Sequence, residues 1–372
     1  VTYLPTYDLP PSLIATLGPL GDALRQTTPD QLAIRRCVRA LEELPPSDVD
    51  RAYRALGVWV NMVEWTAFKP PGRPRSILDW LFGAPKAPAA GMPRRPNRTK
   101  AFSQMARTPG LEVIFLFCPD GYIREAALNR LTAASSPFVL TAVAYRLNDW
   151  VEAVRAAARN CAARVFHTAP VAAVAEAALF LMDRKSFWKR GESELALLDD
   201  AFSRADVVEA LAGLILTGRT GLVSRAYSHG LATDLLDHRL IEFATQAASP
   251  AVRAIAARTL INGEARRQIG FERRWIDKTY NIGRRAPLFS YRPIQRPQLV
   301  EDLIAMVARD RSPAVRRVAA EGLVRFRRDI AGPEPLLAML RNDRAPSIRQ
   351  RVAFVERDLG LEIDTASRSK DP

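Results

Sequence analysis

An aliphatic residue followed by arginine, with small or apolar residues three, four and seven positions after that arginine, recurs along this 372-residue chain. The clearest copies are Val252-Arg253 with Ala256, Ala257 and Leu260, and Val315-Arg316 with Ala319, Ala320 and Leu323. Ile123-Arg124 with Ala127, Leu128 and Leu131 is a third, and weaker copies begin at Val154-Arg155 and Ile348-Arg349. The spacing is that of one helix face. Successive arginines lie 31, 98, 63 and 33 residues apart, close to one, three, two and one periods of about 32, the mark of an array of helical pairs. Pro250, Pro313 and Pro346 stand three residues before the arginine, where a missing N–H costs nothing in a first helical turn. Asp149, Asp310 and Asp343 stand six residues before it. Each unit is expected to open with a turn and a capped helix.

On these residues the chain resembles the HEAT-repeat family, including its short PBS-lyase-like form, over roughly residues 101–360. The resemblance implies an all-α fold, a HEAT-like α-solenoid in which helical pairs wind into a right-handed superhelix. It implies that the Val, Ala and Leu positions fill the interhelix core and that Arg and Asp link neighbouring turns. It also implies a binding scaffold rather than a particular chemistry. Copies near residues 187 and 219 are degenerate, so the middle register follows from helical patterning alone. Residues 1–69 carry helical patterns from Ser12, Pro29 and Ser47 without the repeat and are expected to form an N-terminal helical cap. A Pro/Arg-rich linker or extended loop over 70–100, repeats over 101–363 with a non-repeat insertion at 264–297, and a disordered tail at 364–372 complete the expected organisation.

The net charge of +14 is concentrated in two windows. Residues 69–100 hold eight basic residues, one acid and seven prolines. Residues 264–297 hold nine basic residues against Glu264, Glu272 and Asp277, interleaved with Phe271, Trp275, Tyr280, Phe289 and Tyr291. Guanidinium forks bind phosphate bidentately and aromatic rings offer flat stacking surfaces, so the mixture suits nucleic acid. It suits an acidic protein interface or anionic lipid equally well. The candidate partner-binding residues are Arg266, Arg267, Arg273, Arg274, Trp275, Lys278, Tyr280, Arg284, Arg285, Tyr291 and Arg292, with Arg94, Arg95, Arg98 and Lys100 from the first window.

Signals for chemistry are weak. Gly218-Arg219-Thr220-Gly221 is too short for a phosphate loop and has no following lysine. His238, with Asp234 and Glu242 four residues to either side on one expected helix face, reads as a charge network rather than a metal site. No Gly-x-Ser-x-Gly is present, and no cofactor is expected. No apolar run approaches the ~18–20 residues of a membrane span. Cys37, Cys118 and Cys161 have no CxxC spacing, which points to a reducing intracellular compartment, cytoplasm or an organellar matrix.

The expectation is a non-catalytic scaffold, an adaptor or accessory subunit of a larger assembly. It would bind an RNA or DNA backbone, or an acidic protein, through its arginine-rich segments. One alternative is a HEAT-like DNA glycosylase acting on alkylated bases, with Trp275 at the lesion and Asp277 stabilising an oxocarbenium charge. Another is a peripheral subunit of a membrane-associated complex contacting anionic lipid.

Overall fold

Proline opens a helix in each of the three places where the repeat puts it, at Pro250, Pro313 and Pro346. The structure is a computed structural model that describes residues 9–61, 98–188, 190 and 192–361. Among these residues are eighteen α-helices and one pair of strands, so the chain is helix-rich, as expected. The basic aromatic window departs from an all-α reading, because it forms a β-hairpin. Most of the expected linker, with Arg94 and Arg95, and the expected tail at 364–372 lie outside the described residues. The chain divides into two compact units, one ending at Val207 and the other beginning at Val208. No helix among the described residues is long and apolar enough to cross a membrane.

The first unit begins with α1 (Pro11–Arg25), α2 (Gln31–Glu42) and α3 (Val49–Asn61), followed by α4 (Arg98–Arg107) and α5 (Leu111–Phe115). Then come α6 (Gly121–Arg130), α7 (Pro137–Arg146), α8 (Glu152–Thr168), α9 (Val171–Arg184) and α10 (Glu192–Ser203). Helices α6, α8 and α10 pack in succession as one layer, α7 and α9 form a second, and α2 and α3 rest against α5 and α7. Gln104 is buried and its amide donates to the carbonyls of Leu24 and Gln26, closing the open end of α1. Ser136 caps α7 and donates to Glu42 O at the end of α2. The three cysteines are free and buried, and burial pushes each thiol up to about 11.

Helix α11 (Ala205–Thr217) spans the division, and the second unit continues with α12 (Gly221–Gly230), α13 (Leu240–Gln246) and α14 (Pro250–Asn262). After the hairpin come α15 (Val300–Ala308), α16 (Pro313–Phe326), α17 (Glu334–Arg341) and α18 (Pro346–Asp358). The second helices of the pairs, α14, α16 and α18, pack in sequence, as do the first helices, α13, α15 and α17. The repeated apolar positions explain this. Val252, Ala256, Ala257 and Leu260, and their counterparts Val315, Ala319, Ala320 and Leu323, are all buried.

The repeat arginines form a ladder. The guanidinium of Arg253 lies in the interior, with Nε and one terminal nitrogen 2.7 and 3.1 Å from the two carboxylate oxygens of Asp310. Its other terminal nitrogen donates to Ala247 O and Ala248 O in the turn before its own helix. Arg316 repeats the arrangement one unit on, gripping Asp343 at 2.5 and 3.1 Å and donating to Asp310 O and Arg311 O. In the first unit Arg124 grips Asp149 at 3.0 and 2.9 Å and donates to Cys118 O and Pro119 O. Each aspartate also accepts the N–H two residues on, at Val151, Ser312 or Ala345, which shapes the turn. One side chain thus ties its own turn to the next, and every charge it buries is paired and hydrogen-bonded.

Candidate functional site

A second population of arginines sits on β1 (Glu264–Asp277) and β2 (Ile282–Pro293), which pair antiparallel. The strands form because β-branched and aromatic residues flank a turn-forming segment. Asp277 closes that turn, its carboxylate accepting the N–H groups of Thr279 (2.8 Å) and Tyr280 (3.2 Å). Asn281 takes the left-handed conformation, with φ 55°, that asparagine tolerates. Bulges between Gln268 and Gly270 and between Trp275 and Asp277 each insert one extra residue into β1.

The bulges decide which side chains share a face. The pairs Arg266–Tyr291 and Gln268–Phe289 precede the first bulge, and Phe271–Pro287, Arg273–Arg285 and Trp275–Gly283 follow it on the same side. This face is a ladder of guanidinium and ring. Arg266 lies 3.5 Å over Phe289, Arg285 4.0 Å over Phe271, and Arg273 4.1 Å over Trp275. Gly283 leaves room for this, since a Cβ there would come within 2.9 Å of Arg273 Nε. The opposite face carries Arg267, Glu272, Arg274, Arg284 and Arg292. Glu272 pairs with Arg274 at 2.7 Å.

Two cross-strand pairs place arginine directly opposite arginine, Arg273 with Arg285 and Arg274 with Arg284, one on each face. Like charges so placed disfavour the sheet. Among the described residues, Arg266, Arg273, Arg284 and Arg285 form no ion pair with a carboxylate. Trp275, Tyr280 and Tyr291 are all exposed, and Lys278 lies exposed in the turn.

The base of the hairpin is held to the second unit. Arg292 makes a bidentate pair with Asp237, both contacts 2.8 Å, and donates to Thr233 O. Asp237 holds the Arg292 guanidinium in its charged form, raising its pKa. Gly263 ends α14 with φ 69°, and Ile294 N donates to its carbonyl. Arg296 donates to Leu260 O and Ile261 O, and Arg325 reaches Glu264 at 3.3 Å. Arg267 is half-buried near this base.

The expected partner-binding residues therefore separate by place. Arg266, Arg273, Trp275, Lys278, Tyr280, Arg284, Arg285 and Tyr291 are exposed on the hairpin, whereas Arg292 is an internal anchor and Arg274 is paired with Glu272. Of the first window, Arg98 and Lys100 belong to helix α4 rather than an extended loop. Arg98 stacks 3.9 Å over Tyr122 and pairs with Asp120 at 2.9 Å, and Lys100 donates to Arg25 O. Phe271 and Phe289, absent from the expected site, underlie two of the three stacks. Their signal was the interleaving of rings with arginines in this window: Phe271 stands two residues before Arg273 and Phe289 three before Arg292.

The candidate chemical groups have other employment. Asp277 lies on the face opposite Trp275, with its carboxylate turned to the turn amides. His238, Asp234 and Glu242 do not share a helix, because α13 begins only at Leu240. His238 Nε2 lies 2.9 Å from Glu209, and Glu242 pairs with Arg239, which lowers its pKa. Compared with protein-family models, curated proteins and solved structures, the chain matches none.

Proposed function

We propose that this chain is a non-catalytic subunit of a larger assembly, a HEAT-like α-solenoid scaffold whose hairpin arm binds the backbone of nucleic acid. The solenoid reading is supported by the period of the repeat and by the alternating packing of first and second helices. The binding reading rests on one observation. The ladder arginines Arg124, Arg253 and Arg316 are paired with carboxylates, whereas Arg266, Arg273, Arg284 and Arg285 are exposed on the ribbon without such a pair among the described residues, and Arg273 faces Arg285 directly across the strands. Anions placed between them relieve that repulsion, and phosphates fit the guanidinium fork.

Reversing all four charges (R266E/R273E/R284E/R285E) tests this by fluorescence anisotropy with labelled RNA and DNA from low to moderate salt. Wild type is expected to bind with a steep salt dependence, and the variant to lose at least about a hundredfold in affinity. Equal binding by the two proteins sinks the reading. In source-cell extract, the particle containing this chain should sediment as a large species that shrinks on nuclease treatment.

A second reading is favoured by the hairpin tip, where Ile276, Tyr280 and Ile282 are exposed beside Lys278. An apolar tip with a basic flank suits the headgroup boundary of an anionic membrane. It predicts flotation with cardiolipin-containing vesicles that salt reverses.

A further inference from the structure

Resting on the nucleic-acid reading above, we infer that the arginine–aromatic face of the hairpin selects unpaired strands over duplex by adding bases to its guanidinium–ring stacks. Three features of the ribbon lead there.

The first is the geometry of the stacks. At 3.5 to 4.1 Å from the ring centroids, the guanidiniums of Arg266, Arg285 and Arg273 lie against the rings of Phe289, Phe271 and Trp275. These arginines are exposed, and although one terminal nitrogen of Arg273 donates to the backbone and side-chain oxygens of Asn281 at 2.8 and 3.0 Å, none of the three is paired with a carboxylate among the described residues. A flat base continues such a stack, while the N–H edge remains available to a phosphate.

The second is the ring surface left open. Phe271 is 54% exposed, Trp275 44% and Tyr291 57%, all on this one face. In an intact duplex the base faces are already stacked on one another, and only phosphates and groove edges are presented. A duplex would satisfy the arginines and leave the rings in water. Unpaired bases satisfy both, and base–aromatic stacking tolerates any sequence.

The third is that the edges discourage a protein partner of the strand-adding kind. β1 carries its two bulges, and β2 carries Pro287 and Pro293, which have no N–H to offer. Bulges, prolines and charges are the devices that block edge pairing. The faces are left as the recognition surfaces, and the carboxylates of an acidic peptide have no ring with which to extend a stack.

The test uses the full chain with an oligouridylate, a duplex of equal phosphate number and polyglutamate, all at one salt concentration. Wild type is expected to bind the oligouridylate at least about tenfold more tightly than the duplex. The R266K/R273K/R285K variant keeps the charge and loses both the fork and the flat stack, so its oligouridylate affinity should fall further than its duplex affinity, and the preference for the unpaired strand should shrink to within about twofold. Because that variant also alters packing within the ribbon, a measurement on wild type stands beside it. A 2-aminopurine placed in the oligouridylate should be quenched on binding as it stacks. Equal affinity for strand and duplex, an unquenched probe, or polyglutamate competing as well as oligouridylate at equal charge would each overturn the inference while leaving the binding role intact. Binding to neither nucleic acid would remove the binding role itself.

Discussion

The same residue type is used in opposite ways in two parts of this molecule. In the helical repeats, Arg124 and Arg253 are enclosed and each has a bidentate aspartate and two backbone carbonyls. On the hairpin, Arg284 and Arg285 are exposed, face other arginines across the strands, and form no carboxylate pair among the described residues. In the first arrangement each buried charge is compensated, so the pair is tolerated as a unit while loss of either partner is destabilising. The second tends to reduce stability. Arginine content alone therefore says little about binding in this chain, and the local partners decide.

The contrast is sharpest where the ladder is most enclosed. Arg253→Met leaves the largely enclosed Asp310 carboxylate with the Ser312 N–H among its few remaining donors. The expected loss is about 3–5 kcal/mol, the usual consequence of breaking a buried pair. Urea unfolding of the full chain measures it. The double variant Arg253→Met/Asp310→Leu, which removes both charges, should recover more than half of that loss. Failure to recover would mean that the aspartate's hold on its turn, not the charge pair, carries the ladder. A smaller effect is expected at the join between the two regions. Arg292→Gln removes a partly exposed bidentate anchor, costing about 1–2 kcal/mol, and should speed hydrogen exchange of the hairpin amides while leaving α14 and α16 protected. Exchange that rises equally in the helices would show that the hairpin base is integral to the repeat packing.

Much of the ladder was legible beforehand, because its parts recur at fixed offsets: proline three residues before the arginine, aspartate six before, the apolar triplet after it. What the spacing could not reveal is that Arg124, Arg253 and Arg316 each take the aspartate of the following unit, 25, 57 and 27 residues away. Where the repeat degenerates the ladder also stops. Arg155 still donates to Asp149 O at 2.9 Å, yet its Nε is buried with no hydrogen-bond partner among the described residues. The hairpin was legible as a basic aromatic segment but not as strands. The extra residue at the first bulge breaks the alternation, so that even-numbered Arg266 and Gln268 share a face with odd-numbered Phe271, Arg273 and Trp275, and the second bulge breaks it again before Asp277. The tie between His238 and Glu209 was hidden for another reason: the two lie 29 residues apart on different elements.

Acid should weaken the ladder next. The Arg316 guanidinium holds the Asp343 carboxyl below the ordinary carboxylate range, helped by the Ala345 N–H. A carboxyl with a depressed folded-state pKa adds stability that is fully present above its unfolded pKa, about 3.9, and is lost as pH falls through the lower folded value. Asp343→Asn removes this contribution. The gap in melting temperature between wild type and variant should therefore be widest near neutral pH and narrow below about pH 4. The effect is expected to be smaller than at Arg253, because Arg316 keeps part of its surface in water. A gap constant from pH 7 to 3 would place the value of Asp343 in its shape rather than its charge.

The smallest effect on stability is expected where the binding role predicts a clear one on affinity. Arg284 stands opposite Arg274, whose charge Glu272 offsets in part, and makes no carboxylate pair among the described residues, so Arg284→Thr removes a weakened repulsion and supplies a good strand former. Stability should stay within about 0.5 kcal/mol of wild type, with any change toward greater stability. If a phosphate sits at this position in the complex, the slope of log affinity against log salt should shrink by about 0.7 for a single strand. Arg253→Met, read in the same two assays, should give the reverse pattern: a large loss of stability, and an unchanged salt slope under conditions where the protein remains folded. A stability loss at Arg284 comparable with that at Arg253 would end the distinction between fold-serving and ligand-serving arginines, and with it the main support for the hairpin as a binding arm.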